Sequence, residues 1–406
     1  MGGTKDITIE EYAKILEADK GKQYVNEWGG GVFGEEYPGP KSSYYTELNI
    51  DSFKLLVDGI GDWNPLYRNE EYAKYTKYCT LVAPPCWPYQ VVYGALPEKM
   101  YQKFGTLYTA ESIEYYLPVA DGDRIDWRTT YPIDVRIEES PVHGTTVVAT
   151  GCHEFKRAQG GAELAKQDFT MIYFEMAKSK YRDAQDPTVP PEYTKEFIKS
   201  VYDAQDAEEV AGSNTRYWED VNVGDKLLPI VRGPFTKMEC AAWLKAAGNR
   251  FFASDKFFRI VHKNSGLGYY HEDLKSWINW TEPAYDGWAE LYTQVSGSYI
   301  GDGYASQRSA WAMCMISNWM SDEGFLWKFR ADHIDKGGYH NVFYTNGEVV
   351  GKGSEDGRFY VDIAFTCKDQ TGRKITEGEA RVLLRSKDAG GVLYPRPERQ
   401  FGPFFK

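Results

Sequence analysis

Seven consecutive residues, Gly61-Asp62-Trp63-Asn64-Pro65-Leu66-Tyr67, put a carboxylate, a carboxamide and a phenol on one short stretch that Pro65 makes stiff. A phenol with an ordinary pKa near ~10 donates a hydrogen bond and acts as an acid only when that pKa is lowered. It does not shuttle protons near neutrality as readily as an imidazole does. A second concentration of reactive types is Gly268-Tyr269-Tyr270-His271-Glu272-Asp273, an imidazole followed by two carboxylates, with Asp255 upstream. A third is Gly301-Asp302-Gly303-Tyr304-Ala305-Ser306-Gln307-Arg308. Its small residues let a ligand approach backbone amides, and Arg308 can meet a phosphate or carboxylate. The same stretch reads equally as a glycine-rich loop capping a helix.

Other classes of chemistry find no support. His262 is a weaker candidate than His271, and His143, His153, His333 and His340 fall in strands or turns with no evident partner. The histidines and acids show no metal-ligand spacing, so no metal and no cofactor is expected. The six cysteines, Cys79, Cys86, Cys152, Cys240, Cys314 and Cys367, contain no CxxC pair and read as reduced thiols. Gly29-Gly30-Gly31-Val32-Phe33-Gly34 lacks the Lys-Ser/Thr ending of a phosphate-binding loop. A net charge of -12 argues against nucleic acid, and an anionic ligand needs a local cationic patch. No apolar run reaches the ~20 residues that span a bilayer, so no membrane is expected. The first residues have no apolar signal core, which makes a cytoplasmic location the default. Aromatics reach 16%; they read as large-residue packing or as the walls of a wide pocket.

The elements that must hold these residues come twice. At 406 residues the chain fits two domains, and the boundaries read as 1–176, a polar linker 177–214, and 215–406. In the first half a helix over 49–58, with Ile50, Phe53, Leu56 and Val57 apolar, runs into Gly61-Asp62. In the second, a capping box at Thr236 and Glu239 starts a helix that breaks at Gly248-Asn249. Nearly all-apolar helices over 86–101 and 306–320 follow, as a helix wrapped by a sheet must be. Strands are then expected at 112–117, 124–137, 145–155 and 166–174, and again at 326–334, 341–350, 358–366 and 378–384. The linker, with Pro190-Pro191 and a helix within 192–209, reads as a spacer and not a site.

Gly61 to Tyr67 resembles the hydration motif of the MaoC-like (R)-specific enoyl-CoA hydratases, Gly-Asp-x-Asn-Pro-hydrophobic-His, with Tyr67 in place of the histidine. The chain is similar to the two-domain acyl dehydratases of that group. The resemblance implies an α+β double hotdog: two antiparallel sheets, each wrapping a central helix, packed side by side as a pseudo-dimer. It further implies that Asp62 fills the base role, with Asn64 positioning it, and that a backbone amide at the start of a buried helix polarises a thioester carbonyl. His271 resembles the missing histidine, and Asp255 or Asp273 the missing carboxylate, because the second half has Asn249 where the motif has Asp.

The function so implied is a lyase adding or removing water at a 2-enoyl-CoA/3-hydroxyacyl-CoA thioester, with coenzyme A as part of the substrate and a bulky or aromatic acyl group expected. The candidate catalytic residues are His271, Asp273 and Asp255, with Asp62 and Tyr67 as the other version. Asn64, Arg68, Gly303, Ser306 and Arg308 are the candidate substrate-binding residues. Ala83-Pro84-Pro85 enters the first central helix without amide hydrogens on the prolines, which favours the second half as reactive. A homo-oligomer is expected. The alternatives are a non-catalytic thioester-binding or partner subunit, and a different enolate-type reaction on a CoA thioester.

Overall fold

The computed structural model describes residues 7–26, 45–92, 104–175, 178, 192–248, 268–271, 276–279, 302–303, 305–335, 337–338 and 340–404. Ahead of the first motif come α1 (Ile9–Ala18), β1 (Gln23–Val25), β2 (Glu47–Leu48) and α2 (Ile50–Ile60). Short helices α3 (Glu70–Ala73) and α4 (Pro88–Val92) follow, then the long strands β3 (Phe104–Tyr115), β4 (Asp123–Ser140), β5 (Gly144–Arg157) and β6 (Glu163–Glu175). After α5 (Lys195–Asp206) come β7 (Ile230–Arg232) and α6 (Lys237–Ala246). Two short hairpin strands, β8 (Gly268–His271) and β9 (Ser276–Asn279), and then β10 (Asp302–Gly303) precede α7 (Ala305–Met320). The chain closes with β11 (Phe325–His333), β12 (Gly337–Gly338), β13 (Phe343–Glu355), β14 (Arg358–Asp369) and β15 (Lys374–Leu383).

One antiparallel sheet runs β1-β4-β5-β6-β3-β11-β15-β14-β13-β7 among the described residues, with β2 also on β4. Outward from the β3–β11 junction, each half repeats one order: the strand after the central helix, then the fourth, third and second of its set. Junction pairing sets Glu111 opposite Ala331 and Ile113 opposite Phe329. The strands form because burial alternates along them. Val361, Ile363, Phe365 and Cys367 of β14 point inward, as do Ile125, Trp127 and Thr129 of β4. The fold is therefore the expected α+β double hotdog, and the four expected strands of each half are present.

α7 is buried on every face from Ser306 to Met320, and so is α4. Such helices survive only wrapped by other structure. The first central helix was expected over 86–101; its described part is Pro88–Val92, and 93–103 lies outside the described residues. The main core is continuous across the halves, joining Phe53, Trp87 and Phe155 with Trp243, Trp311 and Phe365. α2 and α6, the equivalent helices of the two halves, touch directly: a Cβ on Gly59 would lie 2.7 Å from Ala246 Cβ. Gln90 of α4 ties them, donating to Ser52 O at 2.8 Å and Ala246 O at 3.1 Å. No helix among the described residues is long and apolar enough to cross a membrane.

Candidate active site

Asp62 owes its position to the end of α2. Asn49 and Ser52 form a capping box that starts the helix. Gly61, at φ 68°, ends it in the left-handed region that glycine enters without strain. Asp62 N then returns to Val57 O at 2.9 Å, which turns the side chain inward. Two polar turns follow: Asp62 Oδ1 accepts Asn64 N at 2.8 Å, and Asn64 Oδ1 accepts Leu66 N at 3.1 Å. Pro65 opens a 3₁₀ turn over Pro65–Tyr67. As a result Asp62, Asn64 and Tyr67 are each no more than 2% exposed, while Trp63 between them is 71% exposed. Arg68 donates to Asp62 O at 3.2 Å, pairs with Asp58 at 3.3 Å and lies over the Trp63 ring.

The surroundings of Asp62 come largely from the second half. Arg232 of β7 donates to Ile60 O at 3.1 Å and Gly61 O at 2.9 Å, and is ion-paired with Glu208. The Cys314 thiol of α7 lies beside the carboxyl, and Asp62 Oδ2 has no hydrogen-bond donor among the described residues. Burial raises the Asp62 pKa to about 6. The Asn64 amide, Arg232 and Cys314 pull it down and Glu208 pushes it up, but burial prevails. Tyr67 is held well above its ordinary pKa, first by burial and then by the Asp62 charge, while its hydroxyl meets Ser317. It is a neutral phenol at any physiological pH. Burial and the Asp62 charge likewise push up the thiols of Cys314 and of Cys86, which enters α4. Pro84 and Pro85 precede Cys86, and the Pro85 carbonyl accepts the Tyr115 hydroxyl at 2.5 Å. Asp62 thus sits near the amino end of one central helix and against the middle of the other. A carboxyl with a pKa near 6 can both take and return a proton close to neutrality.

A second buried polar cluster lies under the helices at the junction. Glu111 of β3 accepts Tyr89 at 2.6 Å and Ser309 at 2.5 Å on one oxygen. Its other oxygen accepts Tyr108 at 2.8 Å and Gln167 at 2.9 Å. His333 of β11 brings Nε2 to 3.8 Å from Glu111, and its Nδ1 lies 3.1 Å from Thr376 Oγ1. His333 therefore has partners that its place in the sequence did not suggest. So do His153, 2.7 Å from the Thr129 hydroxyl, and His143, stacked on Phe174.

Of the residues proposed from sequence, Asp62, Asn64, Tyr67 and Arg68 share one turn. Ser306 and Arg308 are buried in the first turn of α7. Arg308 donates to Thr376 Oγ1 at 3.1 Å and Asp335 O at 3.3 Å. Arg308 and Cys314 are six residues apart, about 9 Å along the helix. Gly303 pairs with Gly337 in a two-stranded ladder, and His271 ends β8 opposite Ser276. Asp255 and Asp273 lie outside the described residues, as does the 29–34 glycine loop. The linker is more than a spacer, because Glu208 at its end is part of the Asp62 surroundings. Sequence reasoning passed over Arg232, Glu208, Glu111 and His333. Glu111 and His333 did carry a signal: each takes an inward place in an alternating strand, Glu111 in phase with Ile113 and Tyr115. No group of three or more metal-ligating side chains is arranged to hold a metal among the described residues.

Comparison with known proteins bears on the fold. Residues 34–164 match the family model of a FAS1-like dehydratase domain region. A "UPF0336 protein" of Streptomyces avermitilis is 27% identical over 103 residues, 24% of this chain and 67% of that protein. Among solved structures, a MaoC-like dehydratase superposes with a TM-score of 0.57 at 15% identity, covering 91% of this chain and 99% of its own. A MaoC domain protein from Chloroflexus aurantiacus follows at 0.54 and 12%, covering 95% and 99%. A Mycobacterium tuberculosis protein described as a double hotdog gives 0.50 and 11%, covering 90% and 97%. The chain has the double hotdog fold of the MaoC-like proteins, and residues 34–164 in its first half are similar to the dehydratase-region model.

Proposed function

We propose that this chain is a hydro-lyase that adds water to a 2-enoyl thioester, or removes it from a 3-hydroxyacyl thioester, with coenzyme A as the carrier. The observation that carries the reading is Asp62: a motif carboxyl, 1% exposed, whose pKa lies at about 6. The descriptions of the matching family model and of the solved relatives as dehydratases support it.

In the hydration direction Asp62 takes a proton from water as its oxygen bonds to C3. The C2=C3 electron pair moves towards the thioester, giving an enolate whose oxygen needs hydrogen-bond donors, and C2 then takes a proton. Helix amino ends supply such donors and favour negative charge. In the first half the Cys86 amide is the earliest available, since Pro84 and Pro85 have none. The proton for C2 comes from His271 in the reading taken from sequence, with Asp273 or Asp255 beside it. Protonated Asp62 can return the proton itself, because its pKa lies close to neutrality.

Hydration of crotonyl-CoA and cinnamoyl-CoA by wild type, Asp62→Asn and His271→Ala tests this. Asp62→Asn is expected to cut kcat by about 100-fold or more. Loss with His271→Ala alone would move the base to the second half. Full activity in both variants would sink the assignment of residues. The second reading, a thioester-binding subunit without turnover, is favoured by Tyr67 at the histidine position. Tight binding of both esters by a wild-type protein that hydrates neither would establish it.

A further inference from the structure

Arg232 belongs to the second half, yet its guanidinium closes the last turn of α2 in the first. The final carbonyls of a helix lack intrahelical partners and carry its negative dipole end. Arg232 Nε and NH2 take two of them, Ile60 O and Gly61 O, directly before Asp62. The approach is close enough that a Cβ on Gly61 would lie 3.3 Å from Arg232 Nε. The remaining nitrogen, NH1, donates to one Glu208 oxygen, and NH2, besides Gly61 O, reaches the other at 3.2 Å. Glu208 follows α5, whose Gln205 also holds the Gly233 carbonyl at 3.0 Å. Side-chain exposure is 11% for Arg232 and 9% for Glu208, so water screens neither.

We infer that Arg232 and Glu208 are positioning residues for Asp62, so that the reactive carboxyl of the first half is held and charge-tuned by the linker and the second half together. The inference rests on the reading of Asp62 as the base. Among the described residues the carboxyl is faced by Arg232 from β7, Glu208 from behind α5, Cys314 from α7, Cys86 from before α4, and Tyr67 from its own turn. The two thiols and the phenol are pushed upward and stay neutral near pH 7. Among the described residues, Arg232 and Glu208 are therefore the charges that act on Asp62, and they act in opposite senses. Arg232 favours the carboxylate; Glu208 disfavours it.

That opposition separates tuning from mere support. The Asp62 titration can be followed in the full chain by carboxyl carbon NMR, the signal assigned by its absence in Asp62→Asn. The pH profile of kcat/KM for crotonyl-CoA is recorded beside it. Arg232→Gln is expected to move the Asp62 midpoint up by about one pH unit, and Glu208→Gln to move it down by about half a unit. Arg232→Lys, which keeps the charge but loses the fork, falls between wild type and Arg232→Gln. The double variant Arg232→Met/Glu208→Gln leaves no buried charge unmatched should a single variant fold poorly. Its midpoint is also expected to rise, because Arg232 acts on Asp62 more strongly than Glu208 does.

Midpoints that stay put, or move the same way in both single variants, would overturn the inference. If wild type hydrates crotonyl-CoA while the midpoints do not move, the inference falls and the hydro-lyase reading stands. If the midpoints move as stated while wild type hydrates nothing, the charge coupling of Arg232 and Glu208 to Asp62 stands and that reading falls.

Discussion

Glu111 accepts the Ser309 hydroxyl at 2.5 Å across the junction of the two halves, from β3 of the first to α7 of the second. The same carboxylate is reached by Tyr89, Tyr108 and Gln167, so each of its oxygens takes two donors. Burial alone would raise its pKa. The nearby His333 ring, then hydrogen bonds from the Ser309 and Tyr89 hydroxyls, outweigh that and hold it below the usual glutamate value. A buried anion with four donors is a fastening: removing one partner strands the others.

Glu111→Gln is therefore expected to lower the unfolding free energy by about 2–4 kcal/mol, and Ser309→Ala by about 1–2 kcal/mol, read from urea titrations. The folded pKa lies below the unfolded value, so the contribution is complete above about 4.5 and is lost as pH falls through the folded pKa. The gap between wild type and Glu111→Gln should narrow on acidification below about pH 4.5. A gap that widens there would show that the carboxylate does not stabilise the junction.

Gly59 and Ala246 decide how closely α2 approaches α6. An added Cβ at 59 meets Ala246 Cβ at 2.7 Å and Ala242 O at 3.3 Å. Gly59→Ala gains about 1 kcal/mol of helix propensity but overpacks the contact by about 1–3 kcal/mol, so a net loss of stability is expected. Adding Ala246→Gly should recover part of it, and a double-mutant cycle by thermal melting measures how much. Strict additivity would mean that the two positions do not meet.

Strands and central helices were legible because their signals are local. Alternation in Val361 to Cys367 and the unbroken apolar character of Ser306 to Met320 each reflect one element facing one core. The Gly61 to Tyr67 turn was legible for the same reason. Its surroundings were not. Arg232 meets Gly61, and Glu111 meets His333, only because β7 and β11 arrive from the other half of the chain. Nothing in the spacing of those residues encodes such meetings. Glu208 lies in the polar linker that read as a spacer, since its partner is set by the return of the chain through β7. Short inward charges in alternating strands, Glu111 above all, were the one readable trace.

His153 should make stability depend on pH over a different range. It is 6% exposed, stacked on Phe169 at 4.6 Å, and burial lowers its pKa to about 3. The unfolded chain protonates this ring near pH 6.5 while the folded protein does not. Stability from this group is therefore complete above about 6.5 and declines as pH falls towards 3. His153→Gln, which keeps a polar partner for Thr129, is expected to lose less melting temperature than wild type between pH 7.5 and 4.5. An equal loss in both proteins would place the acid sensitivity elsewhere.

Tyr67 tests whether the turn lost its proton carrier or replaced it. Its phenol meets Ser317 and lies in the field of Asp62, and burial keeps it protonated. Tyr67→Phe removes only the hydroxyl. A structural phenol predicts a stability loss of about 1 kcal/mol and a kcat within about threefold of wild type. Tyr67→His puts an imidazole beside the Asp62 carboxyl, where a second group can give and take protons near neutrality. If Asp62 is the base, that variant should raise kcat on crotonyl-CoA by about tenfold, a part of the roughly 100-fold or more that well-placed acid–base assistance supplies. A fall of about 100-fold in Tyr67→Phe would instead make the phenol itself the acid. In that case its oxygen, together with Asp62, would define the reacting centre.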